Sequence, residues 1–145
     1  MSLFSVLSVS ASGMSAQRMR AELVVENLAN AETTRTPEGG PYRRKDAVFR
    51  SAQQTSPFGA VFQTEMGSGV TGVEVSDVIE DSSDAPKRYL PGHPDADANG
   101  YVSFPNMNPA EDMVDLLNST RSYEANAAAI SSIKDMISRS IDILR

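Results

Sequence analysis

NPAEDMVDLLNSTRSYEANAAAISSIKDMISRSIDILR, residues 108–145, is the stretch on which the fold turns. Asn108 suits a helix N-cap, and Pro109 suits the first helical position, where its missing N–H would find no partner anyway. Glu111 and Asp112 then place negative charge at the positive end of the helix dipole. From there Met113, Leu116, Thr120, Tyr123, Ala127, Ile130, Lys134, Ile137, Ile141 and Leu144 recur at alternating spacings of three and four, with one charge, at Lys134. Such alternation keeps one stripe turned toward a partner helix and favours shallow, coiled-coil-like packing. Wholly helical, the segment would extend about 54 Å at 1.5 Å per residue.

The other end of the chain repeats the pattern. Phe4, Leu7, Ala11, Met14, Arg18, Ala21, Val25 and Leu28 hold the same spacing, again with one charge. Termini usually fray; here the ends are the regular part, and the middle is rich in Gly, Pro and Asp. Ala11, Ala21, Thr120 and Ala127 thin the stripes, and helices gain most of their stability from packing, so the pair is marginal alone. Two arrangements stay open on the pattern alone: an intramolecular hairpin, or a helix pair shared among subunits. Further apolar residues off the main stripes favour more than one partner: Val9, Ala16 and Leu23 on the first helix, and Leu117, Ile133, Met136 and Ile143 on the second.

Between the helices the character changes. Thr34–Pro41 is a turn-rich break that no helix would cross. Tyr42–Phe49, Val73–Ile79, Arg88–Leu90 and Tyr101–Phe104 read as strands, and Ser51–Gly72 as a glycine-bearing loop or irregular hairpin. The expected fold is mainly α with a small β insertion. Residues 1–32 form the N-terminal helix, 33–108 a central β-rich and loop region, and 109–145 the C-terminal helix.

Composition narrows the function. A net charge of −6 argues against nonspecific nucleic-acid binding, and Arg43-Arg44-Lys45 reads as a short, solvated basic cluster. Cysteine is absent, which removes disulfides, thiolate metal sites and cysteine nucleophiles. No segment reaches the length of apolar sequence that a membrane span needs. The N-terminus lacks the basic flank of a cleavable signal, so export would take another route.

Catalytic constellations fail on inspection. Asp95-Ala-Asp97-Ala-Asn99-Gly100 opens like a calcium loop, with oxygen ligands at alternate positions and Gly at the sharp turn. The twelfth position, which should supply a bidentate Glu, is Asn106, and Pro91, Pro94 and Pro105 deny the flanking helices. An Asx-rich turn leading into a strand is the simpler reading. The lone His93 lies in a turn with no nucleophile placed beside it, and no phosphate loop is present. The expectation is a non-enzyme without cofactor, metal or small-molecule substrate. The competing reading is a secreted soluble binding module, Ca²⁺-responsive through Asp95–Gly100.

One further motif ends the generic reading. Asn27-Leu28-Ala29-Asn30-Ala31-Glu32-Thr33 places two asparagines at a helix end, where Asn tolerates left-handed backbone and caps exposed groups. It resembles the Asn-x-Ala-Asn-x-x-Thr motif of the bacterial flagellar axial family of rod, hook and hook-associated proteins. Gly40–Lys45 with Val48-Phe49, Pro91–Val102 with Pro105-Asn106, and Glu111–Val114 through Arg121–Asn126 resemble the proximal-rod members of that family. The resemblance implies a structural subunit of the flagellar basal body that assembles helically into the drive shaft around the export channel. It implies export by the flagellar type III apparatus without a cleaved signal, and a place in the periplasm. The implied partners are copies of itself, other rod proteins, the inner-membrane MS ring and the export-gate adaptor. The residues expected at the assembly interface are Leu7, Met14, Leu23, Asn27, Leu28, Asn30, Met113, Leu116, Arg121, Tyr123, Asn126, Ile130, Ile137 and Ile141.

Overall fold

The computed structural model describes residues 3–52 and 71–143, so most of the expected Ser51–Gly72 loop lies outside the described residues, as do Leu144 and the side chains of Phe4 and Ile143. Helix α1 (Leu3–Ala29) and helix α2 (Pro109–Ile143) lie side by side and antiparallel, Gly13 facing Asn126 and Arg20 facing Asp115. Two small hairpins occupy the middle. Strand β1 (Lys45–Ser51) pairs antiparallel with β2 (Val73–Glu80), and β3 (Lys87–Tyr89) with β4 (Tyr101–Ser103). The architecture is mainly α with a small β insertion.

Local chemistry sets the helix ends. Asn108 caps α2: its Oδ1 accepts from the Ala110 N–H at 3.1 Å and its Nδ2 donates to Glu111 Oε1 at 3.0 Å. At the end of α1, Asn30 Nδ2 donates to Glu26 O at 2.9 Å and its Oδ1 accepts from Thr33 Oγ1 at 3.1 Å. No described non-glycine residue has positive φ, so this helix ends by side-chain bonding and not through a left-handed asparagine.

The β1–β2 register runs from Lys45 opposite Glu80 to Ser51 opposite Val73, with an irregularity at Val48/Phe49. The strand expected from Tyr42 begins later because Tyr42 is buried beneath α1 and its hydroxyl is tied there. The hairpin lies along α1, where Ser12 Oγ accepts from the Val73 N–H at 3.1 Å. The second hairpin is anchored to the turn after α1 by Thr34 Oγ1 donating to Asp95 Oδ2 at 2.8 Å.

The contact between the helices does not follow the apolar stripes expected to form it. On α2 the buried row is Asp112, Ser119 and Ile133, with Asn126 half-buried between them, one residue before each of Met113, Thr120, Lys134 and Ala127. On α1 the buried residues are Ser10, Ala16, Leu23, Val24 and Asn27, the last of them turned to β1, so Ala16, Leu23 and Ile133, expected to lie off the main stripes, are buried. Small and polar side chains allow the backbones to approach closely, and burial follows that approach.

Gly13 lies at a close approach of the helices: a Cβ built there would sit 3.2 Å from Asn126 Nδ2, which itself donates to Ser122 O at 3.0 Å. Gly13→Ala should therefore be near neutral, a helix-propensity gain of about 1 kcal/mol offsetting a small displacement of the amide. Gly13→Leu should destabilise by about 1–3 kcal/mol through overpacking. Urea unfolding of the two variants would read the difference, and equal midpoints would contradict a close helix contact.

Candidate assembly surface

Among the described residues, the helix pair leaves one flank unfilled. Gln17, Arg18 and Ala21 of α1 and Ser119, Thr120 and Tyr123 of α2 line a shallow, mainly apolar groove between the helices. Stepping by seven residues from Ala21 along α1 gives Leu7, Met14 and Leu28, and from Tyr123 along α2 gives Leu116, Ile130 and Ile137. These six side chains are half-buried and continue the rows on which Ala21 and Tyr123 of the groove lie. The next row outward is exposed: Val25 at 50%, Met113 at 54% and Ile141 at 61%. Both stripes read from the sequence thus converge on one side of the pair, beside the intramolecular contact and not in it. Exposed apolar surface extended along a helix pair is the signature of an interaction face.

The remaining expected residues divide. Leu23 is in the helix contact, Asn126 opposes Gly13, and Arg121 is exposed. The asparagines turn inward. Asn27 has 0% exposure; its Nδ2 donates to Lys45 O at 2.8 Å, and its Oδ1 accepts from the Lys45 N–H at 2.9 Å and from Tyr42 Oη at 3.0 Å. One amide therefore fixes the start of β1 on α1, and Asn30 holds the following turn. Lys45 Nζ adds an ion pair to Glu26 at 2.7 Å, and that hydrogen bond raises the Lys45 pKa. Burial first, and Glu26 second, raises the pKa of Tyr42.

The basic cluster is not simply solvated. Arg44, largely buried, reaches Asp112 and Asp46 at 3.3 Å and Asp115 at 3.8 Å. Nothing in the local sequence signals this, because the carboxylates on α2 lie some seventy residues away.

The calcium-like loop is a turn held by its own side chains. Asp97 Oδ1 accepts from the Asn99 N–H at 2.8 Å and the Tyr101 N–H at 2.9 Å, bonds that lower the Asp97 pKa, with Tyr101 contributing most. Asp95 is committed elsewhere, to Thr34 and, at 3.8 Å, to Arg35. Gly100, at φ 80°, closes the turn under Tyr89 and Pro91. The two carboxylates serve separate structural bonds, which leaves the binding-module reading without support. No helix among the described residues is long and apolar enough to cross a membrane.

Comparison with known proteins places the chain in a family. A family model described as the C-terminal part of the flagellar basal body rod FlgEFG proteins matches residues 98–143, which contain the whole of α2. Over nearly its full length the chain is similar to proteins named flagellar basal-body rod protein FlgC. It is 39% identical to that of Borreliella burgdorferi over 152 residues, covering 100% of this chain and 99% of the relative. Identity is 43% over 150 residues with the Bacillus subtilis protein, covering 99% of each, and 35% over 145 residues with that of Salmonella typhimurium, covering 99% of this chain and 98% of the relative. With both helices, the β insertion and the asparagine-anchored junction inside these full-length matches, the chain belongs to the FlgC family of flagellar basal-body rod proteins.

Proposed function

We propose that this chain is a structural subunit of the proximal rod of the flagellar basal body, and that the groove between α1 and α2 receives a helix from a neighbouring subunit. The observation that supports this reading is the convergence of both apolar stripes on one open flank. A third helix seated there would meet Leu7, Met14, Ala21 and Leu28 on one side and Leu116, Tyr123, Ile130 and Ile137 on the other. A contact that joins the groove of one subunit to a different surface of the next is heterologous, and repeated with an axial rise it builds a helical array and not a closed dimer. Such an array, with the helices inward, would enclose the export channel and transmit torque along its length. The periplasm, the MS ring, the export-gate adaptor and the type III export apparatus enter as surroundings and partners on the same reading.

The absence of cysteine makes a direct test simple. A single Met113→Cys chain should react readily with a maleimide as the purified subunit, and should be protected in basal bodies isolated from cells that carry it. Equal labelling in both states would remove the groove from the assembly interface. Failure of a tagged chain to co-purify with basal bodies would remove the rod assignment itself.

A further inference from the structure

The junction of α1, α2 and β1 encloses a carboxylate that assembly through the groove does not use. Asp112, in the first turn of α2, is fully buried, and neither of its carboxylate oxygens receives a hydrogen bond among the described residues. The Arg44 guanidinium lies 3.3 Å from Asp112 Oδ1 but is aligned as an ion-pair partner and not as a hydrogen-bond donor.

Other charges crowd the same place. From the β1 side come Arg44 and Asp46, 3.3 Å apart. Arg20 projects from α1 to Asp115 at 3.3 Å, and Asp115 and Glu111 lie on α2 itself. Arg44 also reaches Asp115 at 3.8 Å. Two guanidinium groups thus face four carboxylates, the most deeply buried of which lacks a hydrogen bond. A buried charge in that condition is costly, and it loses the cost on taking a proton.

We propose that Asp112 is a proton-operated clasp: neutral, it lets the first turn of α2 settle against α1 and β1, and ionised, it loosens that turn while Arg44 keeps it tethered. Burial holds its carboxyl above the usual carboxylate range, with Arg44 opposing. The folded chain therefore binds this proton more tightly than the unfolded chain does. The stability contributed is fully present below the unfolded carboxylate value and is lost as pH rises through the raised folded one. Exposed Asp81 and Asp97 behave oppositely, since hydrogen bonds lower their pKa values and their contributions are lost as pH falls. The clasp is a property of the single chain and stands apart from the rod reading.

Carbon-detected NMR titration of the full chain tests it. The Asp112 carboxyl should titrate at higher pH than that of exposed Asp97. Amide exchange at residues 112–116 and 44–46, corrected for intrinsic rates, should be several-fold slower at mildly acidic than at neutral pH. Asp112→Asn should hold the slow exchange at both pH values. Should that variant fail to fold, the wild-type titration and exchange still decide. Titration of Asp112 alongside the exposed carboxyls, exchange indifferent to pH, or a pH response that survives in the asparagine variant would each overturn the proposal.

Discussion

Asn27→Ala should unfold the chain at markedly lower urea, by about 2–4 kcal/mol, because one fully buried side chain completes three hydrogen bonds, one buried and two part-buried. Its removal leaves the Tyr42 hydroxyl without its partner in a buried site, and the Lys45 N–H and carbonyl without theirs in a part-buried one. Each buried group left unpaired costs roughly 1–3 kcal/mol, and the three will not add fully, since water can enter the vacated volume. Against a total stability of about 5–15 kcal/mol for an ordinary domain, the loss is severe. Tyr42→Phe removes only one of those bonds and should cost about 1 kcal/mol. Asn27→Asp should not rescue: it keeps the acceptor but sets a carboxylate oxygen against the Lys45 carbonyl, where the amide donated. Amide exchange at Lys45 would report the local effect. An alanine variant with wild-type exchange there and an unchanged urea midpoint would show that the asparagine does not anchor β1.

That anchor also shows what was legible in the chain before its structure. The asparagine motif stands out at a helix end, and its plain reading is a cap, which describes Asn30 correctly. Asn27 does something the local sequence cannot show, because its partners lie fifteen and eighteen residues onward across a turn. The start of α2 was readable for the opposite reason: Asn108, Pro109 and Glu111 interact within one turn, so their chemistry is local.

The stripes were readable as stripes but not as to what they face. Spacing of apolar residues predicts which side of a helix is covered when apolar burial decides the packing. Here the two helices meet through Ser10, Gly13, Ala16, Ser119 and Asn126, residues that a search for apolar periodicity passes over. Small side chains win that contact by letting the backbones close in, and hydrogen bonding satisfies the polar ones: Ser119 Oγ donates to Asp115 O at 2.8 Å. The residues of the two main stripes are thereby displaced to the flank, while Ala16, Leu23, Val24 and Ile133 are the apolar residues that become buried. Arg44 was misread by the same route: a short basic run looks solvated until the fold brings Asp112 and Asp115 beside it.

If the flank is the assembly surface, a double variant Val25→Asp, Met113→Asp should fold normally and fail to build rods. Both side chains are at least half exposed in the single chain, so replacing them removes little buried area and should shift the urea midpoint by no more than about 0.5 kcal/mol. In an assembled array the same positions would be covered. Fully burying a Val or Met side chain contributes about 1.5–3 kcal/mol, and about half of that remains to be gained where the side chain is already half covered, so losing two weakens each contact by about 1.5–3 kcal/mol before any cost of the new charges. At 1.4 kcal/mol per tenfold, that is about ten- to a hundred-fold in association at every subunit contact, and a buried unpaired carboxylate increases it. Cells carrying the variant should make the protein at normal level, lack completed basal bodies and be non-motile. The conservative pair Val25→Ile, Met113→Leu should restore swimming, because it keeps the apolar surface. Normal motility in the aspartate variant would show that rods assemble through another face of the helix pair.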